Sequence, residues 1–141
     1  MKRAKRILVG LKTLEHAADL TNLAWRMGAR DASIHLVHVI ELPDPTPLDA
    51  QVPDLELMAR KILRKGSRVA RRSGLEVSTH VLRAHSAGPA LLDELVAKKI
   101  DLGVFGYHHR RTIGEILLGT AAQYIAKHAP CHALFLVPPK E

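Results

Sequence analysis

The sequence predicts an α/β fold: a doubly wound parallel sheet of five strands with four helices, in a single domain covering residues 1–141. Short apolar runs alternate with longer amphipathic segments, which is the order of strands joined by right-handed helical crossovers. The chain has 141 residues, of which 47% are hydrophobic and 25% charged. That length and balance are typical of one globular domain.

The first strand and helix follow a basic tail at residues 1–5. The apolar run Arg6 to Leu11 predicts a strand covered on both faces. Thr13 is a candidate N-cap for a helix that reaches about Arg30, with Gly28 in its last turn. Ser33 to Glu41 then predicts the second strand.

A proline-rich loop at about residues 42–53 precedes the second helix. That helix is predicted from about Asp54 to Ser73, and Gly74 is its C-terminal stop. Its apolar spacing predicts an inward face of Leu55, Met58, Ile62 and Val69. Its other face is basic, with Arg60, Lys61, Arg64, Lys65, Arg68, Arg71 and Arg72.

The second half of the chain continues the alternation of strands and helices. The predicted elements are a strand at Leu75–Arg83, a helix from Gly88 to about Lys99, a strand at Leu102–Phe105, a helix from Gly119-Thr120 to Pro130, and a strand at Cys131–Val137.

Composition limits the location and the partners that we expect. No run reaches the roughly 18 apolar residues of a membrane span, and the basic start is not followed by a signal-peptide core. A single cysteine fits a reducing cytoplasm. The formal net charge of +7 favours anionic partners.

An anion site is predicted where the fourth strand meets the last helix. Gly106 ends the strand, a basic loop follows, and Gly119-Thr120 opens the helix. The unpaired N–H groups and the positive dipole end of a helix N-terminus stabilise bound anions. The charged end of any ligand should therefore lie here.

These stretches resemble the universal stress protein family over nearly the whole chain. The segments ILVGLKTLEHA, IHLVHVIEL, DLGVFG and HAPCHALFLVPP are similar to its first, second, fourth and last strands. The family's phosphate loop has a glycine, two residues, a glycine, nine residues, a glycine and then serine or threonine. Gly106, His109, the nine residues 110–118 and Gly119-Thr120 match this spacing, with histidine in place of the second glycine.

The resemblance implies a Rossmann-like fold, a homodimer formed through Cys131 to Val137, and ATP as a ligand that Mg²⁺ could accompany. Gly106, Gly119 and Thr120 would contact phosphate and Val39 the base. Further candidates are His108, His109, Arg110 and Lys12. Lys12 stands where ATP-binding members often carry an acidic residue.

The expected function is a nucleotide-responsive regulatory module in the stress response, not an enzyme. The sequence has no GxSxG elbow, no Walker motif and no paired carboxylates. An adenylyl-transfer enzyme would need a HIGH-type motif where KTLEHA stands. Adjacent histidines do not converge on a metal, so no metal site is expected.

Two alternatives remain open. If His109 and Lys12 indicate that nucleotide binding has been lost, the protein could be a dimer that acts through protein–protein contacts. The basic second helix could instead attract a polyanion. Nucleic acid is not the expected polyanion, because base-stacking and groove-reading motifs are absent.

Anion binding should strengthen as the pH falls from about 8 to about 6. A bound phosphate favours the protonated form of a nearby imidazole, so His108 or His109 would gain charge. Titration of ATP at both pH values tests this. An affinity that does not change would rule out a contact from either histidine.

Overall fold

The computed structural model describes residues 2–106, 120–137 and 139. Its order of elements is the predicted one, strands alternating with helices. The strands are β1 (Ala4–Gly10), β2 (Gly28–Glu41), β3 (Glu76–Ala84), β4 (Leu102–Gly106) and β5 (His132–Leu136). The helices are α1 (Ala17–Arg26), α2 (Pro53–Arg72), α3 (Ala87–Ala97) and α4 (Thr120–His128).

The five strands form one sheet in the order β3-β2-β1-β4-β5, and every pair is parallel. The predicted α/β fold is therefore confirmed. The strand β1 is central, with β2 and β3 on one side of it and β4 and β5 on the other. The strand order thus switches between β1 and β4, where ligands bind in open parallel sheets.

The central strand packs side chains into a core on each face of the sheet. Ile7 and Val9 lie in one apolar cluster with Leu20 of α1 and Ile62 of α2. Leu8 lies in the other, which includes residues of α3 and α4. Since Ile7, Leu8 and Val9 are all fully buried, β1 has the continuous apolar character of a strand covered on both faces.

The helix α1 is shorter than predicted. It begins at Ala17 after a turn, not after an N-cap at Thr13, and it ends at Arg26. Sheet pairing ends it, because Gly28 begins β2 opposite Ala4 and the Ala4 N–H donates to the Met27 carbonyl at 3.0 Å. Long-range pairing thus overrides the local helical pattern.

The buried face of α2 also differs from the prediction. Leu55 and Met58 are 46% and 43% exposed, and only Ile62 of the four predicted residues is fully buried. The face that packs against the sheet holds mainly small side chains, including Ala59 and Gly66. A Cβ on Gly66 would lie 2.7 Å from Leu11 Cδ1, so this close approach needs a glycine. The sequence pattern missed it because periodicity marks large apolar residues.

The predicted stop of α2 is confirmed at Gly74, which has a φ of +78°, a left-handed conformation that glycine adopts without strain. The Gly74 N–H donates to the Arg71 carbonyl at 3.2 Å.

The sheet has two edges, β3 and β5. The last strand, β5, is thus an edge strand, and its side chains are largely half-buried. The homodimer through this strand stays a prediction. Among the helices of the described part of the chain, none is both long and apolar enough to cross a membrane.

A pair of histidines lies on β2 and β3. The rings of His35 and His80 are stacked with centroids 6.0 Å apart. Ser78 Oγ lies between them, 2.9 Å from His35 Nδ1 and 3.1 Å from His80 Nε2. Burial lowers the pKa of both rings; the positive charges of Arg6 and Lys98 lower that of His35 further, and Lys98 lowers that of His80.

The His35–His80 pair should make stability depend on pH. Both pKa values in the folded state lie below the ordinary value of 6.5, so the unfolded chain binds more protons. The free energy of unfolding should be highest above that value and fall as the pH drops toward the lowered values. Urea unfolding across this range measures it. His80→Gln should flatten the profile and the exposed His132→Gln should not; equal profiles would contradict the assignment.

Candidate functional site

A cavity of about 370 Å³ lies at the carboxyl ends of the strands, at the switch in strand order. Its walls come from the ends of β1, β2 and β4 and from the N-terminal parts of the four helices. This is the position at which parallel α/β sheets bind their ligands.

Four predicted site residues, distant in sequence, line this one cavity: Lys12, Val39, Gly106 and Thr120. They stand after β1, in β2, at the end of β4 and at the start of α4. The other predicted residues, His108, His109, Arg110 and Gly119, lie outside the described residues.

Val39 lies beside a notch in the sheet. Pairing between β1 and β2 ends at Gly10 and Val37, with the Leu11 N–H donating to the Val37 carbonyl at 2.8 Å. Peptide groups alternate in direction along a strand, so the N–H and C=O of Val39 point toward the same side of β2 as those of Val37. That side faces β1, but β1 has already ended at this level. The Val39 N–H and C=O groups can serve a planar, hydrogen-bonding ligand.

His38 closes the base of this notch. Its side chain is buried, and Nδ1 lies 2.7 Å from the Leu11 carbonyl oxygen. Because a carbonyl only accepts, Nδ1 carries the proton and donates. In the neutral ring, Nε2 is then an acceptor. His38 thus has a structural role and also lines the cavity.

The sequence predicts that Gly106 ends the fourth strand, and its backbone does not have the left-handed conformation that glycine favours. Among the described glycines only Gly74 has a positive φ. Gly106 is the last residue of β4, and a Cβ there would lie 3.2 Å from Leu20 Cδ1. Its role is close packing at the cavity wall.

The apolar walls were not predicted as part of the site. Leu55 and Met58, expected in the core, line the cavity from the first turns of α2. Leu91, Phe105 and Ile125 line it from the other face of the sheet. Apolar walls on two sides suit a flat aromatic ligand.

The charged side chains of the described cavity lining are one lysine and one glutamate, beside two histidines. Its titratable side chains are Lys12, His16, His38 and Glu41. The Glu41 carboxylate accepts a hydrogen bond of 2.7 Å from the Ala87 N–H and so stabilises the start of α3. Thr120 begins α4, whose first peptide N–H groups and positive dipole end lie at the cavity.

The part of the chain that the structure describes has no candidate metal-binding cluster. No group of three or more His, Cys, Asp or Glu side chains is placed to hold a metal ion there.

These features define a parallel α/β protein with a ligand cavity at its topological switch point. The model of the universal stress protein family matches residues 3–136, and the chain belongs to that family. A universal stress protein of Methanocaldococcus jannaschii is 27% identical over 132 residues, covering 92% of this chain and 77% of that protein.

Solved structures share the fold. A universal stress protein in complex with cAMP has a TM-score of 0.72 and 18% identity, covering 96% of this chain and 98% of its own. The universal stress protein of Archaeoglobus fulgidus in complex with dAMP has a TM-score of 0.69 and 18% identity, covering 93% of this chain and 96% of its own.

His38→Leu should lower the free energy of unfolding by about 1–3 kcal/mol, because the buried Leu11 carbonyl loses its donor. His85→Leu is the matched control: His85 Nδ1 also lies near a carbonyl, that of Leu42 at 3.1 Å, but the residue is exposed. Its loss should cost about 0.5 kcal/mol or less. Urea denaturation measures both; equal costs would contradict a special role for His38.

Proposed function

We propose that this protein is a regulatory module that binds an adenine nucleotide at the cavity. The observation that supports this most is the continuity of the cavity from the Val39 notch to the N-terminus of α4. The notch offers a peptide N–H and C=O to the base, and the helix end favours the phosphate.

The walls and the relatives support the same ligand class. The apolar side chains Leu55, Met58 and Leu91 suit the faces of a purine. Two proteins of the same fold were solved with adenine nucleotides, cAMP and dAMP. For this chain we propose ATP or a related adenine nucleotide, which Mg²⁺ could accompany.

In the proposed mechanism, the protein acts by binding the nucleotide and not by catalysing a reaction. In a cytoplasmic homodimer joined through β5, the nucleotide would order residues 107–118 and the dimer surface would report this to a partner. Hydrolysis would be slow and incidental. The apolar edge strand supports the dimer, because folded proteins normally pair or cover such edges.

The rival function is an interaction dimer that binds no nucleotide. The features that favour it are Lys12 and His109, which replace residues typical of the ATP-binding members. A polyanion surface on α2 is a further candidate, since Arg60, Arg64, Arg68 and Arg72 are exposed along one helix. It predicts steep salt dependence without adenine selectivity.

Calorimetric titration with ATP, GTP and pyrophosphate tests the proposal. We expect micromolar, adenine-selective binding that Ala121→Glu weakens by about tenfold or more. Ala121 lies at the cavity in the first turn of α4, where a carboxylate repels phosphate but stabilises the helix. Ala126→Glu adds the same charge at an exposed position of that helix and should leave binding unchanged.

Other outcomes would replace the proposed function. Equal binding of pyrophosphate and ATP would mean an anion site without base recognition. Absence of binding to any of the three compounds would favour the interaction dimer.

A further inference from the structure

The side chain of Lys12 is a cation at the cavity, and no residue of the described chain forms an ion pair with it. Lys12 follows β1, lines the cavity and is exposed. Within residues 2–106 and 120–137, it makes no hydrogen bond or ion pair; Lys65 and Lys98, by contrast, contact Leu14 O and Glu94. Its ammonium is therefore available to an anionic group of a ligand.

The next residue adds a buried hydroxyl. Thr13 also lines the cavity, and its Oγ1 is buried without a hydrogen-bond partner among the residues that the structure describes. It does not cap α1, which begins at Ala17. A buried hydroxyl without a partner is costly, so a ligand oxygen that accepts its proton would be favoured.

A nucleotide bound as proposed would pass its sugar over these two residues. The strand β1 lies between β2 and β4. If the base sits at Val39 of β2 and the 5′-phosphate at the N-terminus of α4, beyond β4, the ribose that joins them passes the end of β1. Lys12 and Thr13 stand at that end.

The described cavity lining has a single carboxylate that could accept from ribose hydroxyls. It belongs to Glu41, at the end of β2, and one of its oxygens accepts from the Ala87 N–H. In dinucleotide sites, an acidic side chain accepts from a free ribose hydroxyl, and a cationic one accommodates a phosphate on that oxygen. A lysine at the ribose position fits the second case.

We propose that Lys12 and Thr13 form a second anion subsite and select an adenine nucleotide that carries a phosphate on its ribose 2′ or 3′ oxygen as well as on the 5′ oxygen. The ammonium pairs with the ribose phosphate, and the Thr13 hydroxyl donates to one of its oxygens. This inference rests on the proposed function, because it assigns the ligand class of the same cavity.

Calorimetry with AMP, ATP, adenosine 3′,5′-bisphosphate and adenosine 2′,5′-bisphosphate tests the subsite. One bisphosphate should bind about tenfold or more tightly than AMP, the gain of one charge-assisted contact. Lys12→Gln should bring that ratio close to one, and Thr13→Val should reduce it. The exposed Lys61→Gln on α2 is the matched control and should leave the ratio unchanged. Circular dichroism verifies that the variants fold.

Three outcomes would overturn the subsite. AMP and both bisphosphates binding equally would do so while the proposed function stands. Lys12→Gln could instead abolish a preference for ATP over AMP and leave the bisphosphate-to-AMP affinity ratio unaltered. That result would mean that Lys12 contacts the 5′-phosphate chain. Failure of every adenine nucleotide to bind would refute the proposed function and this inference together.

Discussion

The site depends on the point at which β1 stops pairing with β2. After Gly10 and Val37 the two strands separate, and β2 continues to Glu41 beside β3. A separation of this kind would leave the Leu11 carbonyl buried without a partner, and the His38 imidazole supplies the donor. One buried hydrogen bond thus satisfies the Leu11 carbonyl at the notch, and the peptide groups of β2 beyond it are free of sheet pairing to β1.

The order of elements could be predicted because it rests on local information. Apolar runs, glycine stops and helical periodicity lie within single segments, so α2, for example, ends before Gly74 as the sequence indicates. The end of α1 could not be predicted in this way. The pairing of Ala4 with Gly28 sets it, and no local pattern at residues 26–30 reveals that contact. Strand pairing across the chain is the information that a periodicity analysis lacks.

The sequence predicted those lining residues whose positions follow from the fold class. It missed those whose positions follow from side-chain packing. Lys12 follows β1, Val39 lies near the carboxyl end of β2, and Thr120 begins α4. A parallel sheet brings such positions to one edge. Leu55 and Met58 belong to the site because α2 packs through its small residues and turns these larger ones toward the cavity. In this orientation of α2, Gly66 closely approaches Leu11, a contact that only the folded chain shows.

Family membership fixes the fold and the position of the cavity, but the charges decide which ligand suits it. One oxygen of the Glu41 carboxylate accepts from the start of α3, while the start of α4 and the Lys12 ammonium add positive potential to the same cavity. Positive potential therefore lies at two separate places along the described walls, at the end of β1 and beyond β4. A ligand with a single anionic group can satisfy only one of them, so the cavity is better matched by a ligand that carries negative charge at two places.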